Sequence, residues 1–245
     1  MRFAKTGAMF GLESRTSRKK FGKLFLVRMQ SVTPKEAHGA RIQTKSGAMF
    51  GLDARIALAI FGALSVISGA ALYSAIESSK ATSLVTELNE IGKAWESYYL
   101  DTGEVPGYLS TSSADAKYYR VNLNDLIDNP GVSGWSGPYL SYEKNTADAT
   151  AGNLIHPQYG DIFIMTLNDK TDWGGSGFYS AGFCKAGEKC FVWAYISGMN
   201  DFASVIINAD EIVDGVSDPT AGNLKAANNG AAVMLKIAPV KNRLG

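Results

Sequence analysis

The chain has 245 residues, of which 46% are hydrophobic and 19% are charged, a composition that fits one sizeable globular domain with an added apolar segment. Two histidines and two cysteines provide too few ligands for an ordinary metal centre. The net charge of +1 hides a division, because residues 1–48 hold eleven basic and two acidic residues, whereas the remaining chain holds thirteen basic and twenty-one acidic ones. This division indicates either a nucleic-acid-binding arm or a basic flank beside a membrane segment.

An uninterrupted apolar run, IALAIFGALSVISGAALYSAI, occupies residues 56–76 and contains no charge and no proline. At a helical rise of ~1.5 Å per residue it spans about 30 Å, the thickness of a bilayer core. A core helix of a soluble protein is normally amphipathic, so the run favours a membrane span over that alternative. The positive-inside rule then places residues 1–48 in the cytoplasm and the C-terminal part outside. The run is too long and starts too late for an ordinary signal peptide.

The apolar run continues as an amphipathic helix. We expect one helix from about Asp53 to Asp101, about 70 Å long, which Gly103 and Pro106 end. Its second half carries a single apolar stripe that needs a partner surface. The stripe residues recur at steps of three and four and share one face: Leu84, Leu88, Ile91, Trp95 and Tyr98.

The part after the helix contains strand patterns and one helix pattern, and we expect it to form an α+β domain. Strands are expected at 159–167 and 190–197, a helix at 200–215 with Asn200 as its N-cap, and a last strand at 231–240 that closes the sheet.

The junction before the apolar run reads KSGAMFGLDARIALAIFGAL. The junction thus contains, in order, a basic leader, a small residue, a hydrophobic residue and an acidic residue. A long helix follows that is apolar first and amphipathic second. In this order the chain resembles the prepilins of type IV pili and of type II secretion pseudopili, and GWSGPYLSY at 134–142 is similar to a segment of major pseudopilins. The resemblance implies a pilin-like fold, in which a long N-terminal helix packs on a small antiparallel β-sheet head.

The resemblance also implies that a prepilin peptidase removes the leader at a processing site formed by Gly47, Ala48 and Met49. Cleavage after Ala48 makes Asp53 the fifth mature residue, as in the family, whereas cleavage after Gly47 makes it the sixth. The expected organisation is a leader at 1–48, a long helix at 49–102 with its membrane segment at 56–76, and a periplasmic or extracellular head at 103–245.

Asp53 is the candidate residue for assembly register. A carboxylate at the edge of hydrocarbon is costly unless it is paired. The resemblance implies that Asp53 pairs with the free N-terminal amine of a neighbouring subunit. The alternative is local pairing with Arg55, although side chains two positions apart do not face each other on a helix.

One internal repeat precedes the junction, since KTGAMFGLESR at 5–15 nearly duplicates KSGAMFGLDAR at 45–55. The first copy offers Ala8, Met9 and Glu13 at the same spacing, but the basic segment after it cannot span a membrane. We interpret it as a relic or as part of a wrongly assigned start, and a second processing site is the alternative.

Two further observations bear on chemistry. Cys184 and Cys190 form an even pair in an exported domain, which predicts a disulfide. Asp210, Asp214 and Asp218 cluster near a turn, and because major pseudopilins bind calcium in a C-terminal loop they are candidate calcium ligands. Their spacing does not match an EF-hand, which favours a solvated acidic surface, and no other cofactor is expected.

The sequence does not predict an enzyme. One histidine, His156, remains outside the leader, and no Walker, HExxH or GxSxG motif occurs. A histidine beside Pro157 is expected at the surface.

The expected function is that of a structural subunit of a type IV pilus or type II secretion pseudopilus. Its partners would be further copies in a helical filament, the prepilin peptidase, the assembly machinery and, before assembly, the inner membrane. We expect the stripe from Leu84 to Tyr98 to be buried between subunits. The alternative is a membrane-anchored periplasmic binding or adhesion protein that does not polymerise. Nucleic-acid binding is not expected, because without its leader the chain is acidic and repels phosphate.

Overall fold

A 53-residue helix, α1 (Phe50–Thr102), leads into a six-stranded antiparallel sheet that carries a second helix, α2 (Ala203–Asp214). The protein is therefore α+β, as predicted, and Asp53–Gly245 form one compact unit. The structure is a computed structural model that describes residues 50–147, 151–170 and 181–245.

The strands follow the order β1-β2-β3-β4-β6-β5, with every neighbouring pair antiparallel. The last strand, β6, lies inside the sheet between β4 and β5, and the short β5 forms the edge. The strands are β1 (Glu143–Lys144), β2 (Leu154–Ile155), β3 (Asp161–Leu167), β4 (Cys190–Ser197), β5 (Leu224–Ala227) and β6 (Ala232–Val240). Short 3-10 helices lie at Ala116–Tyr119, Leu123–Leu126 and Asn228–Gly230.

Helix α1 has two halves with different surroundings. Every residue from 51 to 76 is exposed, and the helix is long and apolar enough to cross a membrane, with a mean hydropathy of 2.1 over its most apolar window. From Glu77 onwards one face is buried. The boundary between exposed and covered helix therefore coincides with the end of the apolar run.

The apolar stripe of α1 is buried within its own chain. Leu84, Leu88 and Ile91 have no exposed surface, and they pack in one cluster with inward-facing residues of the sheet. The prediction that this stripe packs between subunits is therefore wrong, because the sheet of the same molecule already covers it. Sheet residues in this cluster alternate along each strand, as a half-buried pleat requires: Ile162, Ile164, Val192, Ala194, Ile196, Val233 and Leu235.

Helix and sheet approach closely at Gly92. A Cβ at this position would overlap Cδ1 of Ile237 on β6, so any residue larger than glycine would require the Ile237 side chain to shift.

Helix α2 begins two residues later than predicted. Phe202 is the N-cap and makes no side-chain cap bond, and the predicted cap, Asn200, lies in the preceding turn. The C-terminal end fits the sequence, because Gly215 adopts the left-handed conformation (φ 73°) that ends many helices.

Candidate functional site: the two-part helix and its contacts with the head

The exposed half of α1 begins with the candidate register residue. Asp53 lies in the first helical turn and is exposed, as is Arg55. No ion pair joins the two in the part of the chain that the structure describes. Gly47, Ala48 and Met49, the predicted processing site, lie outside the described residues.

Glu77 marks the point at which the head first contacts the helix. Its carboxylate accepts a hydrogen bond from the Ser204 hydroxyl (2.5 Å) and pairs with Lys80 (2.9 Å). The Ser204 hydroxyl, with support from Lys80, holds the pKa of Glu77 below its usual range. This contact joins α1 to the first turn of α2 immediately above the apolar segment.

A second polar contact crosses from α1 to the sheet. Glu87 lies 2.6 Å from Nε2 of His156, whose side chain is 2% exposed. The other ring nitrogen, Nδ1, accepts hydrogen bonds from the backbone N–H groups of Gln158 and Tyr159, so the imidazole proton is on Nε2 and is donated to Glu87. The prediction that His156 is a surface residue is wrong. Burial, together with the nearby carboxylates of the helix, raises the pKa of Tyr142 beside it to about 12.

Glu87→Ala is expected to lower the free energy of unfolding of the head by about 1–2 kcal/mol, because it leaves the buried N–H of His156 without an acceptor. Glu90→Ala, on the exposed side of the same helix, is the matched control and should change it by less than about 0.5 kcal/mol. Urea unfolding followed by tryptophan fluorescence measures both variants. Equal effects would contradict a specific role for the Glu87–His156 contact.

The end of α1 is held by the segment GWSGPYLSY at 134–142. Asp101 accepts hydrogen bonds from the hydroxyls of Ser136 and Tyr139, and these bonds lower its pKa. Gly134 has a φ of 86° and passes so close to the Asp101 carbonyl that a side chain would overlap it. The motif therefore packs directly on the helix exit.

The predicted disulfide is confirmed, since Cys184 and Cys190 are joined. The Tyr119 hydroxyl donates to the Cys184 carbonyl at 3.2 Å. The Asn242 side chain donates to the carbonyls of Lys185 and Glu188 at 2.7 and 3.0 Å. The disulfide loop thus connects the C-terminal residues to the body of the head.

The three candidate calcium ligands have different surroundings. Asp214 accepts hydrogen bonds from the backbone N–H groups of Asn223 and Leu224 and from the Asn223 amide, each at 2.8 Å. Asp218 accepts from the backbone and hydroxyl of Thr220. Both carboxylates therefore hold the loop between α2 and β5.

Asp210 is the exception in this cluster. It has no exposed surface, and neither carboxylate oxygen has a hydrogen-bond partner of normal geometry. Burial, followed by the charges of Asp214 and Asp218, raises its pKa, although the backbone N–H of Asp218 acts in the opposite direction. No group of three metal-ligating side chains is placed to hold an ion within residues 50–147, 151–170 and 181–245.

The free edge of β5 is closed by its own chain. The N–H of Leu224 donates to Asp214, and that of Ala226 donates to the Pro219 carbonyl at 2.6 Å. At the other edge, β1 has two residues. Neither edge therefore offers a long row of free backbone groups to which a second sheet could add.

Sequence reasoning missed the contacts of Glu77 and Glu87. A signal for Glu77 existed, because it is the first charged residue after the apolar run. Nothing local could have identified Glu87, because its partner His156 lies 69 residues further along the chain.

Comparison of this chain with protein-family models, with curated proteins and with solved structures finds no match.

Proposed function

We propose that this chain is a prepilin-like subunit that assembles into a filament through its N-terminal helix, as a type IV pilin or as a type II secretion pseudopilin. One observation carries the proposal: α1 is unbroken, and at Glu77 it changes from an apolar segment that none of the described residues covers to a segment that forms the core of the head. Such a helix presents its free half to lipid or to other copies while the head stays folded.

Processing by a prepilin peptidase at Gly47, Ala48 and Met49 is part of this proposal. The leader then lies in the cytoplasm and the head outside, with the apolar half of α1 in the inner membrane before assembly. Lipid tails are as apolar as a helix interface, so exchanging lipid for neighbouring helices involves little hydrophobic cost. The closed sheet edges support assembly through helices instead of strands.

Asp53→Ala is expected to leave processing intact and to reduce filament yield at least about tenfold, because the N-terminal amine of the neighbouring subunit loses its partner in apolar surroundings. Asp53→Glu keeps the charge and is the matched control. The measurements are N-terminal sequencing of the membrane-extracted protein, which should begin at Met49, and the amount of filament sheared from cells that carry a prepilin peptidase and an assembly machinery.

Two results would contradict the proposal. The first is an N-terminus at residue 1 in cells whose peptidase processes its other substrates. The second is a filament yield that is the same for the Asp53→Ala variant as for the wild-type chain, whether both form filaments or neither does. An unprocessed protein that tolerates Asp53→Ala would instead be a membrane-anchored binding or adhesion protein.

A further inference from the structure

The head begins at the height at which the apolar segment of α1 ends. Ile76 is the last residue of the apolar run, and the carboxylate of the next residue, Glu77, accepts a hydrogen bond from the Ser204 hydroxyl (2.5 Å). The headgroup layer of a bilayer is about 5–7 Å thick on each side, which a helix crosses in about four residues. A bilayer whose core holds residues 56–76 therefore has its headgroups around residues 77–80, at the height of Ser204.

Helix α2 rises away from this height. Its last residue, Asp214, accepts a hydrogen bond from the N–H of the first residue of β5, and that residue pairs with Leu235 on β6. Two residues further along β6, Ile237 lies against Gly92, which is fifteen residues beyond Glu77 and therefore about 22 Å higher along α1. The first turn of α2 is thus the part of this helix that lies beside the end of the apolar segment.

A second segment reaches the same height. The N–H of Met199 donates to the carbonyl of Ala231 (2.9 Å), so residues 199–204, which lead into α2, lie beside residues 228–231, which join β5 to β6. We name these two segments the lower face of the head. Its exposed residues are Asn200, Asp201, Ala203, Ser204 and Asn229.

The lower face is almost uncharged, because Asp201 is the one charged residue in 199–204 and 228–231. Its exposed amides and hydroxyl can hydrogen-bond to the phosphate and carbonyl oxygens of lipids. They do so without the cost of bringing charged side chains close to hydrocarbon. This composition fits contact with the headgroups of zwitterionic lipid.

The opposite end of the head has a different composition. The Asn242 side chain joins residues 185–189 to residues 241–245, and Lys241 borders a groove beside Leu100, near the end of α1. These segments have as many residues as the lower face, but five of them are charged: Lys185, Glu188, Lys189, Lys241 and Arg243. Charge is therefore concentrated at the end of the head that lies away from the apolar segment.

We propose that the lower face of the head rests in the headgroup layer of the membrane that holds α1, and that it binds zwitterionic lipid through its uncharged groups. This proposal rests on the proposed function, because it requires residues 56–76 to span a bilayer. The unbroken helix sets the distance, since Glu77 follows the apolar run directly and already contacts the head. The contact exists while the subunit is in the membrane and is lost when the subunit leaves it.

Quenching of a fluorescent label by lipids that carry a nitroxide on the headgroup tests this contact. The full chain is placed in nanodiscs of zwitterionic lipid with the label on Asn200→Cys or on Asn229→Cys, and the natural cysteines do not react because they are joined to each other. Asn200→Cys is the first probe, because Asn229 has a left-handed backbone (φ 56°) that cysteine adopts less readily. Glu104→Cys, exposed just after the end of α1, is the distant control, and Leu72→Cys reports whether the apolar segment is in the bilayer.

The expected result is quenching at Asn200→Cys and Asn229→Cys that is several-fold stronger than at Glu104→Cys and is unchanged by added anionic lipid. Quenching at Leu72→Cys, with none above the Glu104→Cys control at the two probes, would overturn this inference and leave the proposed function intact. Quenching of the probes only with anionic lipid would also overturn it, because the contact would then depend on charge. Absence of quenching at Leu72→Cys would overturn both the inference and the proposed function.

Discussion

Leu88→Ala lowers the free energy of unfolding of the head by about 2–5 kcal/mol, because it leaves a cavity where a fully buried leucine packed against the sheet. The same substitution at Leu64, which is 57% exposed on the same helix, leaves the stability of the head unchanged. The difference between two identical substitutions in one helix separates the segment that builds the head from the segment that is free for lipid or neighbours.

Tryptophan fluorescence during urea unfolding in mild detergent measures this difference, because Trp193 is fully buried and Trp95 is nearly so. Leu88→Met conserves volume and should cost less than about 1.5 kcal/mol. An unchanged unfolding midpoint for Leu88→Ala, or an equal decrease for Leu64→Ala, would show that the stripe is not part of the core.

Asp210 and Asp214 lie one turn apart on α2. Replacing each of them by asparagine is expected to change the free energy of unfolding in opposite directions. Asp210 has no exposed surface, and its burial raises its pKa, so the folded state binds its proton more tightly than the unfolded state does. The free energy of unfolding therefore falls as pH rises from the unfolded pKa, about 3.9, through the folded pKa, and it stays lower above that value. Asp210→Asn removes this charge and should raise the free energy of unfolding at pH 7 by about 1–2 kcal/mol.

Asp214→Asn is the matched control and should lower the free energy of unfolding by about 1–3 kcal/mol, because this carboxylate accepts three hydrogen bonds from the start of β5. Unfolding curves between acid and neutral pH measure both variants. The advantage of Asp210→Asn should vanish in acid, where the carboxyl is protonated in both states. Destabilisation by Asp210→Asn would contradict an unfavourable buried charge at this position, and calcium-dependent stability lost in that variant would identify a metal ligand.

The long helix was predictable because its signals are local. An apolar run sets its first half, a stripe at helical spacing sets its second, and Gly103 follows its last residue, Thr102. Strands β3 and β4 were predictable for the same reason, since β-branched and aromatic residues dominate them.

The features that were not predicted correctly depend on residues that are distant along the chain. Strand β5 reads LKAA, which has no strand pattern, and it forms because β6 pairs with it and Asp214 and Pro219 satisfy its other edge. The stripe on α1 gave no indication whether its partner was another subunit or the sheet of the same chain. His156 beside a proline resembled a surface residue until the fold brought Glu87 to it.

The unbroken passage of α1 from the apolar segment into the head has a mechanical consequence. Flexible residues between an anchor and a domain absorb rotation and tension, but here the first contact of the head, at Glu77, follows the apolar segment directly. A force on the head is therefore transmitted along the helix axis to residues 56–76, and a tilt of that segment reorients the head by the same angle. The apolar segment and the head therefore move together as one rigid unit.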